Sequence, residues 1–274
     1  DQPIGANETL SFLRTTMPIA AGFDGSVVVA SNVPVAGMSN LHGLMDATNV
    51  MTYGAFNAFD SGATTVYLPT LMKNNWGYDT FFYAQNLGGA DANITVNYSD
   101  GVTKTANGVK PGASAMFSQA FEDHAGKVFA ATVTATQNIA VTVAQDGPTL
   151  LTYNSFASGS LTPVMPLVQE NHYGYFTGIQ IQNIGSASTN VEVLYMPSLH
   201  GSSCYERQTI PAGESRTFGE PAFYRDGGDT TCIKGQMFVG SALVAGNSGT
   251  QPLVAVVNQL NNQTRKGGAY NAFD

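Results

Sequence analysis

Charge is scarce in this chain. Only 11% of its 274 residues are Asp, Glu, Lys or Arg, and 11 basic against 19 acidic residues leave a net charge of −8, where about a quarter charged is usual. No basic cluster occurs, so the electrostatic footprint that nucleic acid or an anionic membrane surface requires is absent. Long apolar runs are missing as well: none reaches 18 residues, and no membrane-inserting helix is expected. Histidine is rare. His42, His124, His172 and His200 lack metal-ligand spacing and have no acidic neighbour placed to orient them, which predicts solvated loop residues. There is no Gly-x-Ser-x-Gly elbow, no phosphate-binding glycine loop and no DxDxDG cation loop. No enzyme activity, cofactor or metal is expected. The two cysteines, Cys204 and Cys232, are predicted to form one disulfide in an exported chain.

What the sequence has in abundance is repetition. Residues 66–98 return at 163–195 at a constant offset of 97 and without a gap, matching Pro69 to Pro166, Gly77 to Gly174, Tyr78 to Tyr175, Gln85-Asn86 to Gln182-Asn183 and Tyr98 to Tyr195. An internal repeat of this length has to be found before a fold is assigned. The stretch that follows it occurs three times. NETLSF, ASAMFS and ESRTFG come just after Gly5, Gly112 and Gly213, and FDGSVVVAS, FAATVTAT and FVGSALVAG start at Phe23, Phe129 and Phe238. Then come VPVAGM (33–38), IAVTVAQ (139–145) and PLVAVVNQ (252–259), and each copy closes on Tyr-x-x-Phe: Tyr53 to Phe56, Tyr153 to Phe156, Tyr270 to Phe273.

Apolar and polar residues alternate with period two in ITVNY, VEVLY and IAVTVA, and Gly, Asn, Asp and Pro punctuate the chain every eight to twelve residues. Helical period is weak throughout; SNLHGLMDA (39–47) and QAFEDHAG (119–126) are the best candidates for a helical turn. About seven strands per repeat is the count of an immunoglobulin-like sandwich. The expected architecture is all-β: an incomplete half over residues 1–62, a sandwich over 63–160, and a disulfide-bearing sandwich over 161–274. Leu68, Tyr78, Val96, Tyr98, Phe129, Val133, Val141 and Val143 are expected inside the first sandwich. Leu194, Phe238, Val244, Val254 and Val256 are expected inside the second.

The pattern Leu-Pro, Gly-Tyr-x-Thr, Gln-Asn-x-Gly, Pro-Gly-x-Ser and Tyr-Asn-x-Phe resembles the tandem immunoglobulin-like repeats of secreted bacterial surface proteins. That resemblance implies β-sandwiches and an extracellular or cell-surface address with the signal peptide already removed. By itself it implies no reaction.

Two functional expectations follow. A lone N-terminal half would leave Ile4, Leu10, Phe12, Val27, Val29, Met51 and Tyr53 in water and would expose strand edges, so another copy of the chain is expected to cover it. Exchange of residues 1–16 as a donor strand would give a head-to-tail homopolymer. The rival reading is a glycan-binding module using Trp76, Tyr78, Tyr173 and Tyr175 as a stacking platform. Gln85-Asn86 and Gln182-Asn183 are expected to bond backbone at turns.

Overall fold

Alternating β-branched residues between Gly- and Asn-rich turns leave the strand as the only regular element. A computed structural model describes residues 2–13, 17, 19, 20, 22–45, 50–219 and 229–274, and it is all-β. Among the described residues there is no α-helix, hence none long and apolar enough to cross a membrane, and only one 3-10 turn, Gln119–Phe121.

Strands β1 (Met38–Met45) and β2 (Val50–Asn57) pair antiparallel as a sheet of their own. Strands β3 (Ala63–Met72), β4 (Asp79–Asn86), β5 (Ala92–Tyr98), β6 (Thr103–Val109), β7 (Ser114–Ser118), β8 (Val128–Asp146) and β9 (Leu150–Asn154) enclose one core. A second core lies among β10 (Val164–Glu170), β11 (Tyr175–Asn183), β12 (Thr189–His200), β13 (Cys204–Ile210), β14 (Ser215–Phe218), β15 (Asp229–Thr230), β16 (Phe238–Asn247), β17 (Leu253–Asn261) and β18 (Lys266–Asn271).

The repeat shows in the pairing. The 19-residue β8 pairs β3 and β5 through residues 128–135, with Ala63 of β3 also opposite Ile139, then β4 and β9 through 139–146. In the second sandwich the same work is divided: β16 pairs β10 and β12, and β17 pairs β11 and β18. Each core is therefore closed by one set containing the first, third and fourth strands and another containing the second and fifth. An immunoglobulin constant domain puts its first strand on the sheet of the second and fifth, so the allocation of strands here is different.

Seven of the expected core residues of the first sandwich lie in its core: Leu68, Val96, Tyr98, Phe129, Val133, Val141 and Val143. Tyr78 is buried in a satellite cluster with Met72 and Leu151. In the second, Phe238 and Val244 are inside, but Leu194 is half-buried while Val193 and Tyr195 point inward. Val254 and Val256 are buried on the face of β17 opposite to Leu253, Ala255 and Val257, and Val256 joins the first core. Both faces of β17 are covered, so alternation in its sequence does not say which face is inner.

Three further expectations are corrected. Residues 39–45, read as a helical turn, are part of β1. Segments 7–12 and 23–31, which match β7/β14 and β8/β16 in sequence, form no strands. A strand exists only with a neighbour to bond, and among the described residues no strand pairs with either segment. The closing motif of that copy is also three residues later than Tyr53-Phe56. GAFNAFD (54–60) matches GAYNAFD (268–274), and the offset of 97 then carries through Asn57 and Asn154 to Gly62 and Gly159. A Cβ on Gly62 would lie 2.6 Å from the Ile139 carbonyl, and one on Gly159 2.8 Å from that of Leu253, so both linkers need glycine for the same close approach.

Candidate assembly surface

The second sandwich meets the first through the outer face of β11, β17 and β18, which lies on β3 and β9. Val256 packs into the first core, and Leu151 packs with Leu260 and Ala269. Several polar groups at this contact are paired, while Gln182 Oε1 is buried with no hydrogen-bond partner among the described residues. Gln145 Nε2 donates to Asn258 Oδ1 at 3.0 Å and Asn258 Nδ2 donates back to Gln145 Oε1 at 2.7 Å. Gln182 Nε2 reaches the Ala131 carbonyl at 3.4 Å, and Asn271 Nδ2 donates to the Asn154 carbonyl at 2.7 Å.

The N-terminal hairpin meets the first sandwich in the same way. Asn154 Nδ2 donates to the Asn57 carbonyl at 2.8 Å, Thr152 Oγ1 donates to the Ala55 carbonyl at 2.6 Å, and Gly54 sits against Thr152 and Leu150. Asn57, Asn154 and Asn271 are equivalent positions, so one contact is made twice in succession. Upstream of the hairpin the chain is held beside β4 and β7: Tyr83 Oη donates to Asp24 at 2.6 Å and Ser26 Oγ to the Gly112 carbonyl at 2.6 Å.

Much of the N-terminal segment is uncovered. Ile4, Phe12, Val27, Val29 and Tyr53 are exposed, Val27 and Val29 by about two thirds of their surface, and Leu10 is half-buried. The side chain of Met51 lies outside the described residues. Sequence reasoning missed a second exposed apolar patch, at the far end of the chain: Leu161, Val164, Leu167 and Phe273. The signal for it was the match of 54–60 to 268–274, which makes the C-terminus the same element as β2.

The four expected platform aromatics separate. Trp76 and Tyr173 project from the tips of the β3–β4 and β10–β11 turns, exposed by 85% and 86%. Each turn is closed by reciprocal backbone bonds, Asn75 with Tyr78 and His172 with Tyr175, leaving two residues at the tip. Those two residues have positive φ: Trp76 54°, Gly77 80°, Tyr173 50° and Gly174 80°. Tyr78 is buried, its hydroxyl pushed up to about 12 by desolvation, and offers no face to a ligand; Tyr175 is half-buried. The platform therefore reduces to one exposed ring on each of two turns.

Asn86 and Asn183 bond backbone. Asn86 Nδ2 donates to the carbonyls of Ala90 and Val109, and its Oδ1 accepts from Gly88 N. Asn183 does the same with Ala187, Ile210 and Gly185. Cys204 and Cys232 are disulfide-bonded and pack against the second core.

His124 corrects the expectation of solvated histidines. Its side chain is fully buried, stacked on Phe129 at 4.1 Å, with Nδ1 2.9 Å from Asp100 Oδ2 and Nε2 3.3 Å from Glu122 Oε2. Glu170 is also buried; desolvation pushes its carboxyl up to about 7, and its Oε2 has no hydrogen-bond partner among the described residues. Among the described residues no group of three or more His, Cys, Asp or Glu is arranged to hold a metal ion.

No protein-family model matches the chain, and no curated protein or solved structure matches it either.

Proposed function

We propose that this chain is an extracellular structural subunit that assembles head to tail with copies of itself through its incomplete N-terminal part. The observation that carries this reading is the N-terminal segment itself: a lone two-stranded sheet preceded by exposed apolar side chains, in a chain whose other strands enclose two well-filled cores. A two-stranded sheet encloses no core of its own, and clustered exposed apolar side chains mark an interaction site. The disulfide suits an oxidising compartment. A head-to-tail contact that does not close on itself propagates. Sedimentation velocity and electron microscopy of protein isolated without refolding test the reading. Concentration-dependent linear polymers are expected, and a monodisperse monomer at every concentration would end it.

A second reading is favoured by the turn tips. A bulky ring at positive φ is strained, and strain persists where function holds it, so Trp76 and Tyr173 are the side chains that would stack on a sugar ring. A glycan array probed with the native chain and with Trp76→Ala tests this: binding lost in the variant supports it, and no binding by the native chain removes it.

A further inference from the structure

The contact that joins the parts of this chain has its two sides exposed elsewhere, one on the hairpin and the other on the second sandwich. On β17 and β18, Val256 and Asn271 are cross-strand partners on the face that covers the first sandwich; on β1 and β2 the same register positions are Met38 and Asn57. Val256 is 1% exposed, whereas Met38 is 64% exposed. The hairpin thus carries the covering face with Met38 largely in water.

The opposite end carries the face to be covered. At the offset of 97, Thr70 corresponds to Leu167; Thr70, on the strand β3 that the second sandwich contacts, is 3% exposed, and Leu167 is 41% exposed. Tyr67 and Phe156, half-buried and bridged to each other, correspond to Val164 and Phe273, which make the same bridge and are exposed. The buttress beneath is alike in both: Tyr153 Oη donates to the Thr70 carbonyl and Tyr270 Oη to the Leu167 carbonyl, each at 2.6 Å. The asparagine bonds follow the same pattern. The carbonyls of Asn57 and Asn154 each receive an amide from the next asparagine, and among the described residues none is left to reach the carbonyl of Asn271.

Resting on the assembly reading above, we propose that the β1–β2 hairpin of one copy seats on the C-terminal sandwich of another, with Met38, Tyr53 and Asn57 over Val164, Leu167 and Phe273. The occupant is a second copy because the only surface shown to fit this face is the one that β17 and β18 present, and the hairpin is its equivalent. The contact repeats the in-chain one, Asn57 Nδ2 donating to the Asn271 carbonyl. It is a packing of faces and not an exchange of strands, so deletion of residues 1–16 leaves assembly intact.

Two full-length variants test it by sedimentation velocity: Met38→Asp, which spoils the covering face, and Leu167→Asp, which spoils the covered one. Each alone is expected to remain monomeric at concentrations at least about tenfold above those at which the native chain assembles, a loss of about 1.4 kcal/mol or more per contact. Mixed in equal amounts they are expected to stop at a dimer, because each retains one good face. Variants that polymerise like the native chain would overturn this contact while leaving self-assembly standing. A mixture that stays monomeric would overturn it as well. A native chain that never assembles would remove the assembly reading, and this contact with it.

Discussion

Trp76 and Tyr173 stand 97 residues apart at the same position of the same two-residue turn, with φ of 54° and 50° and with more than four-fifths of each ring in water. Two residues of positive φ in a hairpin define the type I′ turn, for which Asn-Gly is the preferred pair. Trp76→Asn would supply that pair with Gly77. The variant is expected to be more stable by about 1 kcal/mol, the strain released, and Trp76→Val less stable than the native chain. Urea denaturation of the three proteins measures this; a destabilised Trp76→Asn would mean that the ring contributes packing.

Asn86 and Asn183 each satisfy two carbonyls and one N–H with a single buried amide. Truncation to Ala leaves those groups without partners, at a cost of about 2–4 kcal/mol in either position. Asp in place of Asn removes both donors and turns an oxygen toward the two carbonyls, so Asn86→Asp should be no better than Asn86→Ala. Chemical denaturation of the two sets of variants gives the comparison.

Glu170 should make the chain less stable as pH rises. Burial lifts its carboxyl from the usual 4.5 to about 7, so between those values the folded chain holds a proton that the unfolded chain has lost. Its contribution is fully present below about 4.5 and is lost as pH climbs through about 7. Melting temperatures recorded from pH 4 to 8 should fall across that window, and Glu170→Gln should flatten the fall.

Removing the bond between Cys204 and Cys232, which closes a separation of 28 residues, should lower stability by about 3 kcal/mol through the freedom regained by the unfolded chain. Calorimetry of the double Cys→Ala variant tests the magnitude. Thiol labelling of native protein tests the bond itself, with no free thiol expected.

What the sequence determined by itself is the local part. Alternating apolar residues make strands, Asn and Gly make their turns, and repetition at 97 residues reveals equivalent elements whatever their surroundings; the all-β fold, the disulfide and most of the first core were legible for that reason. Where a residue's role depends on a neighbour distant in the chain, only the tertiary structure decided it. FDGSVVVAS has the pattern of a strand but pairs with no strand among the described residues. Val256 has the pattern of an inner residue but faces the first sandwich, because β17 is covered on both sides. His124 gave no sign of burial, since Asp100 and the ring of Phe129 reach it only when the turn after β5, the loop after β7 and the start of β8 come together. Phe156 and Phe273 occupy the same place in the repeat, and one is half-buried and the other exposed because the second sandwich packs beside the first of them. Local preference is set by each residue's own chemistry, whereas burial is set by what the rest of the chain places against it.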